Sequence, residues 1–112
     1  MAYQSKFDFS DKKILKNIVS RIVEIANPDR IILFGSRATG KARKDSDYDI
    51  CVLKKKIKSR SEFIGKIYHG LNVNAPVDII ATTISHFEES KDKWYYVYHD
   101  INKEGQVIYE KR

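Results

Sequence analysis

Residues 30–54 read RIILFGSRATGKARKDSDYDICVLK, and the rest of the chain is organised around them. The stretch opens with a short apolar, β-branched run at residues 31–34, which predicts a buried strand. Gly-Ser at residues 35–36 ends that run, and a basic, polar connection follows. A second apolar strand is predicted over residues 50–53, entered directly through Asp-Tyr-Asp at residues 47–49. This arrangement of strand, Gly-Ser turn and acidic strand entry indicates chemistry on a metal-bound nucleotide.

The two aspartates of the second strand are expected to act together. Side chains alternate between the faces of a strand, so Asp47 and Asp49 point the same way and Tyr48 points the other. Carboxylates about 7 Å apart along a strand can converge on one or two hard cations, and carboxylate oxygens with substrate phosphates are the ligands that Mg²⁺ prefers. Gly35 lets the backbone approach a phosphate because it has no Cβ. Ser36 offers a hydroxyl and an N–H, and its short helix would favour an anion.

The spacing Gly-Ser, ten residues, Asp-x-Asp resembles the signature of the DNA polymerase beta-type nucleotidyltransferase superfamily. The fuller string GSRATGKARKDSDYDICVL resembles its small "minimal nucleotidyltransferase" branch. Four fixed residues at this spacing would arise by chance in roughly one in a thousand chains of this length. Separately, Asp-x-Asp is commonly a solvated turn and Gly-Ser a bend; together, at this spacing, they favour a site.

The resemblance implies a fold and a set of roles. The fold is α+β, of the α/β type: a small mixed β-sheet flanked by helices, with one nucleotidyltransferase domain over residues 1–112. Asp47 and Asp49 would hold the magnesium, two ions in number, and ATP would be the substrate. Gly35 and Ser36 would bind its β- and γ-phosphates. Arg37, the best placed of the basic residues that follow, would assist them.

A further carboxylate lies in the third predicted strand, at residues 77–81. A charged residue within such an apolar run is costly unless it has a partner. If this strand lies beside the second one, Asp78 can join Asp47 and Asp49. The resemblance implies that Asp78 completes the metal site and activates the acceptor hydroxyl. The alternative is an edge-strand aspartate that faces water.

Helical periodicity organises most of the remaining chain. A stripe of apolar residues predicts a helix from a cap at Ser10 to Asn27-Pro28, and a second helix is expected from Ser61 to about Gly70. A short helix over residues 84–90 and an aromatic-rich helix over residues 91–104 follow. In that last helix Trp94, Tyr95, Tyr96 and Tyr98 would be mostly core. Gly105 would cap it, before a final strand at residues 107–109.

Composition limits the class of protein but does not identify its function. The 112 residues carry 21 basic and 15 acidic side chains, a formal charge of +6 that favours polyanionic partners. The single cysteine, Cys51, excludes an internal disulfide and is expected to be a small buried hydrophobe. No apolar run reaches the length of a membrane span and no secretory signal opens the chain, so a cytoplasmic protein without membrane association is predicted.

Two classes of function compete. Larger superfamily members add a helical domain that binds the acceptor, and none is expected within these 112 residues. Minimal nucleotidyltransferases resemble the antitoxin half of modules whose partner is a HEPN-domain toxin. There the enzyme transfers AMP from ATP to a tyrosine of the toxin, or simply holds the toxin in a complex. A magnesium-dependent protein adenylyltransferase is therefore predicted, and a non-catalytic binding module is the alternative. Nucleic acid is not required; a nucleic-acid-binding protein is a weaker third candidate, because the chain lacks a recognisable aromatic-basic motif.

Overall fold

The computed structural model describes residues 3–4, 7–9 and 12–112. Its elements are, in chain order, β1 (Tyr3–Gln4), α1 (Lys13–Ala26), β2 (Arg30–Phe34), α2 (Ser36–Thr39), β3 (Tyr48–Lys54), α3 (Arg60–Leu71), β4 (Val77–Thr83), α4 (Ile84–Ser90), α5 (Val97–Glu104) and β5 (Gln106–Lys111). The strands form one sheet in the spatial order β1-β5-β2-β3-β4. The pairs β1–β5, β5–β2 and β2–β3 are antiparallel and β3–β4 is parallel. The expected small mixed sheet with flanking helices is confirmed.

Helices cover both faces of the sheet. On one face α1 and α3 pack on Ile31, Leu33, Ile50 and Val52. On the other, α4 and α5 pack on the side chains that alternate with these, Ile32, Cys51 and Leu53. Burial raises the pKa of the Cys51 thiol to about 12, so Cys51 behaves as the small hydrophobe that the sequence predicts. Because Cys51 lies on the α4–α5 face, Asp49, two residues before it, projects from that face as well.

The first helix follows its apolar stripe. Leu15, Ile18, Val19, Ile22 and Ala26 are buried, and Asn27 ends the helix in the left-handed conformation, with φ 46°. The predicted cap at Ser10 lies outside the described residues. Within the described part of the chain, none of the helices combines the length and the apolar character that crossing a bilayer requires.

Two predicted helix starts are wrong. Helix α3 is capped by Ser59, whose hydroxyl accepts a hydrogen bond from the Glu62 N–H, and not by Ser61. Helix α5 begins only at Val97, since residues 91–96 form turns and Tyr96 is extended, with ψ 144°. Bulky aromatic residues lose side-chain freedom in a helix. Here the backbone forms turns instead, with hydrogen bonds from the Lys93 N–H to the Ser90 carbonyl and from the Tyr96 N–H to the Lys93 carbonyl.

Residues 94–97, which we term the aromatic segment, stand in solvent as a consequence. Trp94 is 79% exposed and Tyr95 is 63% exposed, and their rings touch each other edge to face. Tyr98, at the start of α5, is instead buried at 6% exposure against Phe87. Gly105 caps α5 as predicted, with its N–H bonded to the Ile101 carbonyl.

Candidate active site

The end of β2 brings the Gly-Ser turn against the start of β3. Phe34, the last residue of β2, pairs with Asp49 in the antiparallel ladder, so Gly35 follows directly beside that aspartate. Gly35 has a φ of +72°, a conformation that side chains rarely adopt. A Cβ at this position would collide with the Asp49 carboxylate. The backbone of the Gly-Ser turn and the Asp49 carboxylate therefore share one small space.

Ser36 begins a helix, as the sequence predicts, but a short one. Helix α2 makes a single turn and ends at Gly40, whose φ of +78° favours glycine although the space around it is open. The Lys41 N–H closes the turn on the Ser36 carbonyl at 3.0 Å. This geometry sets Ser36 at the mouth of the β2–β3 hairpin; its contact with phosphate stays a prediction.

The third carboxylate comes from the neighbouring strand. Strand β4 lies beside β3, as is required for Asp78 to join Asp47 and Asp49, and it is also the edge strand with Asp78 exposed, as the alternative of an edge-strand aspartate requires. Asp49 and Asp78 are direct partners in the parallel register, and partners in register point to the same face. Asp47 lies just before β3 begins and is exposed. We call Asp47, Asp49 and Asp78 the carboxylate cluster.

The charges of Asp47 and Asp78 act on Asp49. The pKa of Asp49 is raised above the ordinary aspartate value, first by burial and then by the negative charges of Asp78 and Asp47. Across the part of the chain that the structure describes, no lysine or arginine forms an ion pair with any of the three. Neighbouring carboxylates without a cationic side chain are the donor set of a site for a hard cation.

Magnesium fits this donor set as an open site. Within residues 3–4, 7–9 and 12–112, no three acidic, histidine or cysteine side chains form a group that could hold a metal ion. Mg²⁺ is usually held by one or two carboxylates together with substrate phosphates and water, so a closed cage is not what its chemistry requires. Asp47 and Asp49, with Asp78 beside them, are the residues that would hold it.

Arg37 has partners other than the phosphates expected for it. Its guanidinium donates to the Ser46 carbonyl from Nη2 at 2.8 Å and from Nε at 3.1 Å. The same Nη2 lies 3.2 Å from the Lys44 carbonyl and 3.4 Å from that of Arg43. These are bonds to the connection that leads to Asp47.

Tyr68 contacts the carboxylate cluster, although no motif in the sequence marks it as a candidate site residue. Its side chain is 44% exposed and reaches around the edge of β4. The phenol oxygen accepts a hydrogen bond from the Ile79 N–H at 2.7 Å and lies 3.4 Å from Asp78 Oδ1, to which it can donate. No periodic pattern in the sequence reveals such a contact, since it depends on where α3 crosses the sheet edge.

Comparison with known proteins decides the family. The family model described as polymerase beta nucleotidyltransferase matches residues 13–112, which is nearly the whole chain. The chain belongs to the polymerase beta nucleotidyltransferase family. The Gly-Ser turn and the acidic entry to β3, recognised in the sequence by their spacing, are thus parts of a nucleotidyltransferase domain. Comparison with curated proteins gave no match.

Two solved structures share the nucleotidyltransferase fold. A Sulfolobus solfataricus protein, described as a candidate nucleotidyltransferase, is 22% identical with a TM-score of 0.57; the alignment covers 85% of this chain and 76% of that one. A toxin–antitoxin structure with AMP-PNP is 21% identical with a TM-score of 0.51, over 91% of this chain and 74% of that one. At these identities the likeness concerns the fold.

Proposed function

We propose that this nucleotidyltransferase domain transfers AMP from ATP, with magnesium, to a hydroxyl of a partner protein. One observation carries the proposal: Asp49 and Asp78 are register partners on adjacent strands, and the Asp49 carboxylate lies where a side chain on Gly35 would collide with it. A domain used only as scaffold has no need of such neighbouring carboxylates, and the pKa of Asp49 is raised, first by burial and then by the charges of Asp78 and Asp47.

The residues divide the work on the nucleotide. Gly35 and Ser36 bind the β- and γ-phosphates, because the turn has an open backbone and a hydroxyl at the strand end. Asp47 and Asp49 hold the magnesium, with Asp78 as the third ligand. When bound, magnesium neutralises charge that develops on the phosphates during transfer.

Asp78 serves the acceptor. It is the more exposed member of the Asp49–Asp78 pair, at the outer strand of the sheet, where an incoming hydroxyl has access. The acceptor oxygen forms a bond to the α-phosphorus while the bond to the β-phosphate oxygen breaks. The hydroxyl proton passes to the Asp78 carboxylate, and pyrophosphate leaves.

A protein acceptor is favoured over a nucleic acid. The toxin–antitoxin structure that shares this fold was solved with an ATP analogue, which combines a protein partner and a nucleotide in one assembly. Together with the resemblance to minimal nucleotidyltransferases, this supports an antitoxin that modifies a HEPN-domain toxin. We place the reaction in the cytoplasm, where ATP and such a partner would be found.

The aromatic segment favours the second candidate, a binding module that neutralises its partner without chemistry. Exposed Trp and Tyr side chains are typical anchors of protein interfaces, and Trp94 and Tyr95 lie side by side in solvent. This surface serves an enzyme that must hold a protein acceptor equally well. The two candidates therefore differ in whether transfer is needed, and not in whether a partner binds.

Labelled ATP tests the reaction directly. The protein is incubated with magnesium, a lysate of the source cell and ATP labelled at either the α- or the γ-phosphate. We expect one protein band labelled from α-ATP and none from γ-ATP, with the label lost in the presence of a chelator and in Asp47→Asn. Label from γ-ATP would identify a phosphotransferase, and no label with either would remove the enzymatic proposal.

Asp78→Asn separates chemistry from binding. This variant should keep most of its ATP affinity and its partner complex but lose AMP transfer, since it loses the base while Asp47 and Asp49 remain. Partner neutralisation in cells then decides. Loss of neutralisation with the complex intact supports chemistry as the mechanism, whereas full neutralisation supports the binding module.

A further inference from the structure

We infer that Arg37 is a positioning residue: it clamps residues 42–47 and so holds Asp47 at the metal site, instead of binding phosphate. The role given to Asp47 rests on the proposed function. The clamp itself rests on the contacts of one guanidinium.

The guanidinium contacts three carbonyl oxygens of the connection. Arg37 reaches the carbonyl oxygens of Arg43, Lys44 and Ser46, with the two shorter contacts, 2.8 and 3.1 Å, both on Ser46. Ser46 is the residue directly before Asp47. A planar guanidinium with several donors in fixed directions suits this set of acceptors, and a lysine ammonium does not reproduce it.

Tyr48 holds the guanidinium from the other side of Asp47. The Arg37 Cζ lies 3.9 Å from the centre of the Tyr48 ring, a cation–π contact. Asp47 thus lies between two residues that Arg37 grips, Ser46 through its carbonyl and Tyr48 through its ring. The Arg37 and Tyr48 side chains also line a cavity of about 640 Å³ on the α1 side of the sheet, whereas Asp49 projects from the α4–α5 side.

The connection has little else to hold it. Lys41 is tied to Ser36 at one end, and the Tyr48 N–H bonds to the Pro76 carbonyl at the other. Between them, the backbone bonds found in the described residues are local, joining Arg43 to Ser46. Among the described contacts of residues 42–47, the hydrogen bonds from Arg37 are those that tie this stretch to the rest of the domain. Without them Asp47 would sit on a loop free to move.

Three variants test the clamp. Arg37→Ala removes it, Arg37→Lys keeps the charge without the fork, and Tyr48→Leu keeps the hydrogen bonds without the ring. Arg21→Ala, on the exposed side of α1, is the matched arginine control. Hydrogen exchange of the backbone amides is the first measurement, because it needs neither metal nor activity.

In Arg37→Ala and Arg37→Lys we expect exchange of the Arg43 and Ser46 amides, which are the described hydrogen-bonded amides within residues 42–47, to become roughly 10- to 100-fold faster, as the loss of one or two charge-assisted hydrogen bonds gives. Tyr48→Leu should give a smaller increase in the same stretch. Exchange in β2 and in residues 50–54 of β3 should stay unchanged in all variants, which shows that the domain is folded. Unchanged exchange within residues 42–47 in both Arg37 variants would overturn the proposal.

Ligand titrations separate a clamp from a phosphate contact. With Mn²⁺ alone as the probe, the clamp predicts roughly tenfold weaker binding in both Arg37 variants. With AMP-PNP in the presence of chelator, it predicts unchanged affinity. Weaker metal-free AMP-PNP binding with unchanged Mn²⁺ binding would instead assign Arg37 to the phosphates. If the wild-type protein transfers no nucleotide while the exchange and Mn²⁺ results hold, the proposed function fails and the clamp stands.

Discussion

Asp49 and Asp78 are partners on the adjacent strands β3 and β4, with Asp47 just before β3, whereas Trp94 and Tyr95 stand in solvent between α4 and α5. In the carboxylate cluster the pKa of Asp49 is raised, first by burial and then by the like charges of Asp78 and Asp47. The aromatic segment exposes large apolar side chains of a kind that folded proteins usually bury. Each region departs from what stability alone favours, and each departure points to something that binds there. In the function that we propose, the two regions differ in what they bind: a cation with a nucleotide in one, and a protein surface in the other.

The largest expected effect comes from a substitution in the carboxylate cluster. Asp49→Asn should lower AMP transfer by on the order of a thousandfold, because it removes a metal ligand. It should at the same time raise the melting temperature of the metal-free protein at neutral pH by a few degrees. Transfer assays and calorimetry check the two effects together, and Asp92→Asn, on an exposed aspartate, should cause neither.

The pH dependence fixes the sign of the stability effect. The folded-state pKa of Asp49 is raised, so its contribution to stability is fully present below the ordinary aspartate value of 3.8 and is lost as the pH rises through the folded value. The stabilisation by Asp49→Asn should therefore vanish in acid. A variant less stable than the wild type at neutral pH would show that Asp49 has a cationic partner in the folded protein.

Gly35→Ala should come next, with transfer lowered by roughly a hundredfold and both metal and nucleotide binding weakened. From sequence, this substitution places a methyl group in the path of the phosphates. In the structure the methyl meets the Asp49 carboxylate, which must move. Gly40→Ala is the matched control, since Gly40 also has a positive φ but open space around it. Both variants should lose about 1–2 kcal/mol to backbone strain, so equal losses of transfer would remove the link between Gly35 and Asp49.

The sequence predicted those candidate site residues whose position depends on spacing along a strand or hairpin. Asp47, Asp49 and Gly35 follow from spacing along one hairpin, and Asp78 from a charge within an apolar run. Arg37 and Tyr68 did not follow, because their contacts depend on how a connection folds back and where a helix crosses a strand edge. The start of α5 was misplaced because residues 91–98 read KDKWYYVY, with no glycine or proline to mark where turns end and a helix begins.

The aromatic segment offers a third and smaller test. Trp94→Ala should change the free energy of unfolding by less than about 0.5 kcal/mol, because the side chain is 79% exposed. Tyr98→Ala should cost about 3 kcal/mol, since that ring is buried against Phe87. If the segment binds the partner, Trp94→Ala should also weaken the complex by tenfold or more, measured by titration with the labelled acceptor. Unchanged affinity would show that the aromatic segment does not bind the partner. The comparison with the carboxylate cluster would then no longer hold.

The smallest expected effect concerns Tyr68, whose hydroxyl joins the Ile79 amide to the Asp78 carboxylate. Tyr68→Phe deletes one oxygen and keeps the ring. The Ile79 N–H loses its partner at the edge of β4, which should cost about 1 kcal/mol of stability. Transfer should fall a few-fold while the KM for ATP stays unchanged, because Asp78 is less well oriented but the phosphates bind elsewhere.

Tyr95→Phe, the same chemical change on a side chain in solvent, is the control for unfolding. A Tyr68→Phe variant that loses stability but keeps the full transfer rate would confine Tyr68 to covering the strand edge. A loss of rate at unchanged KM would show that Tyr68 orients the Asp78 carboxylate toward the acceptor.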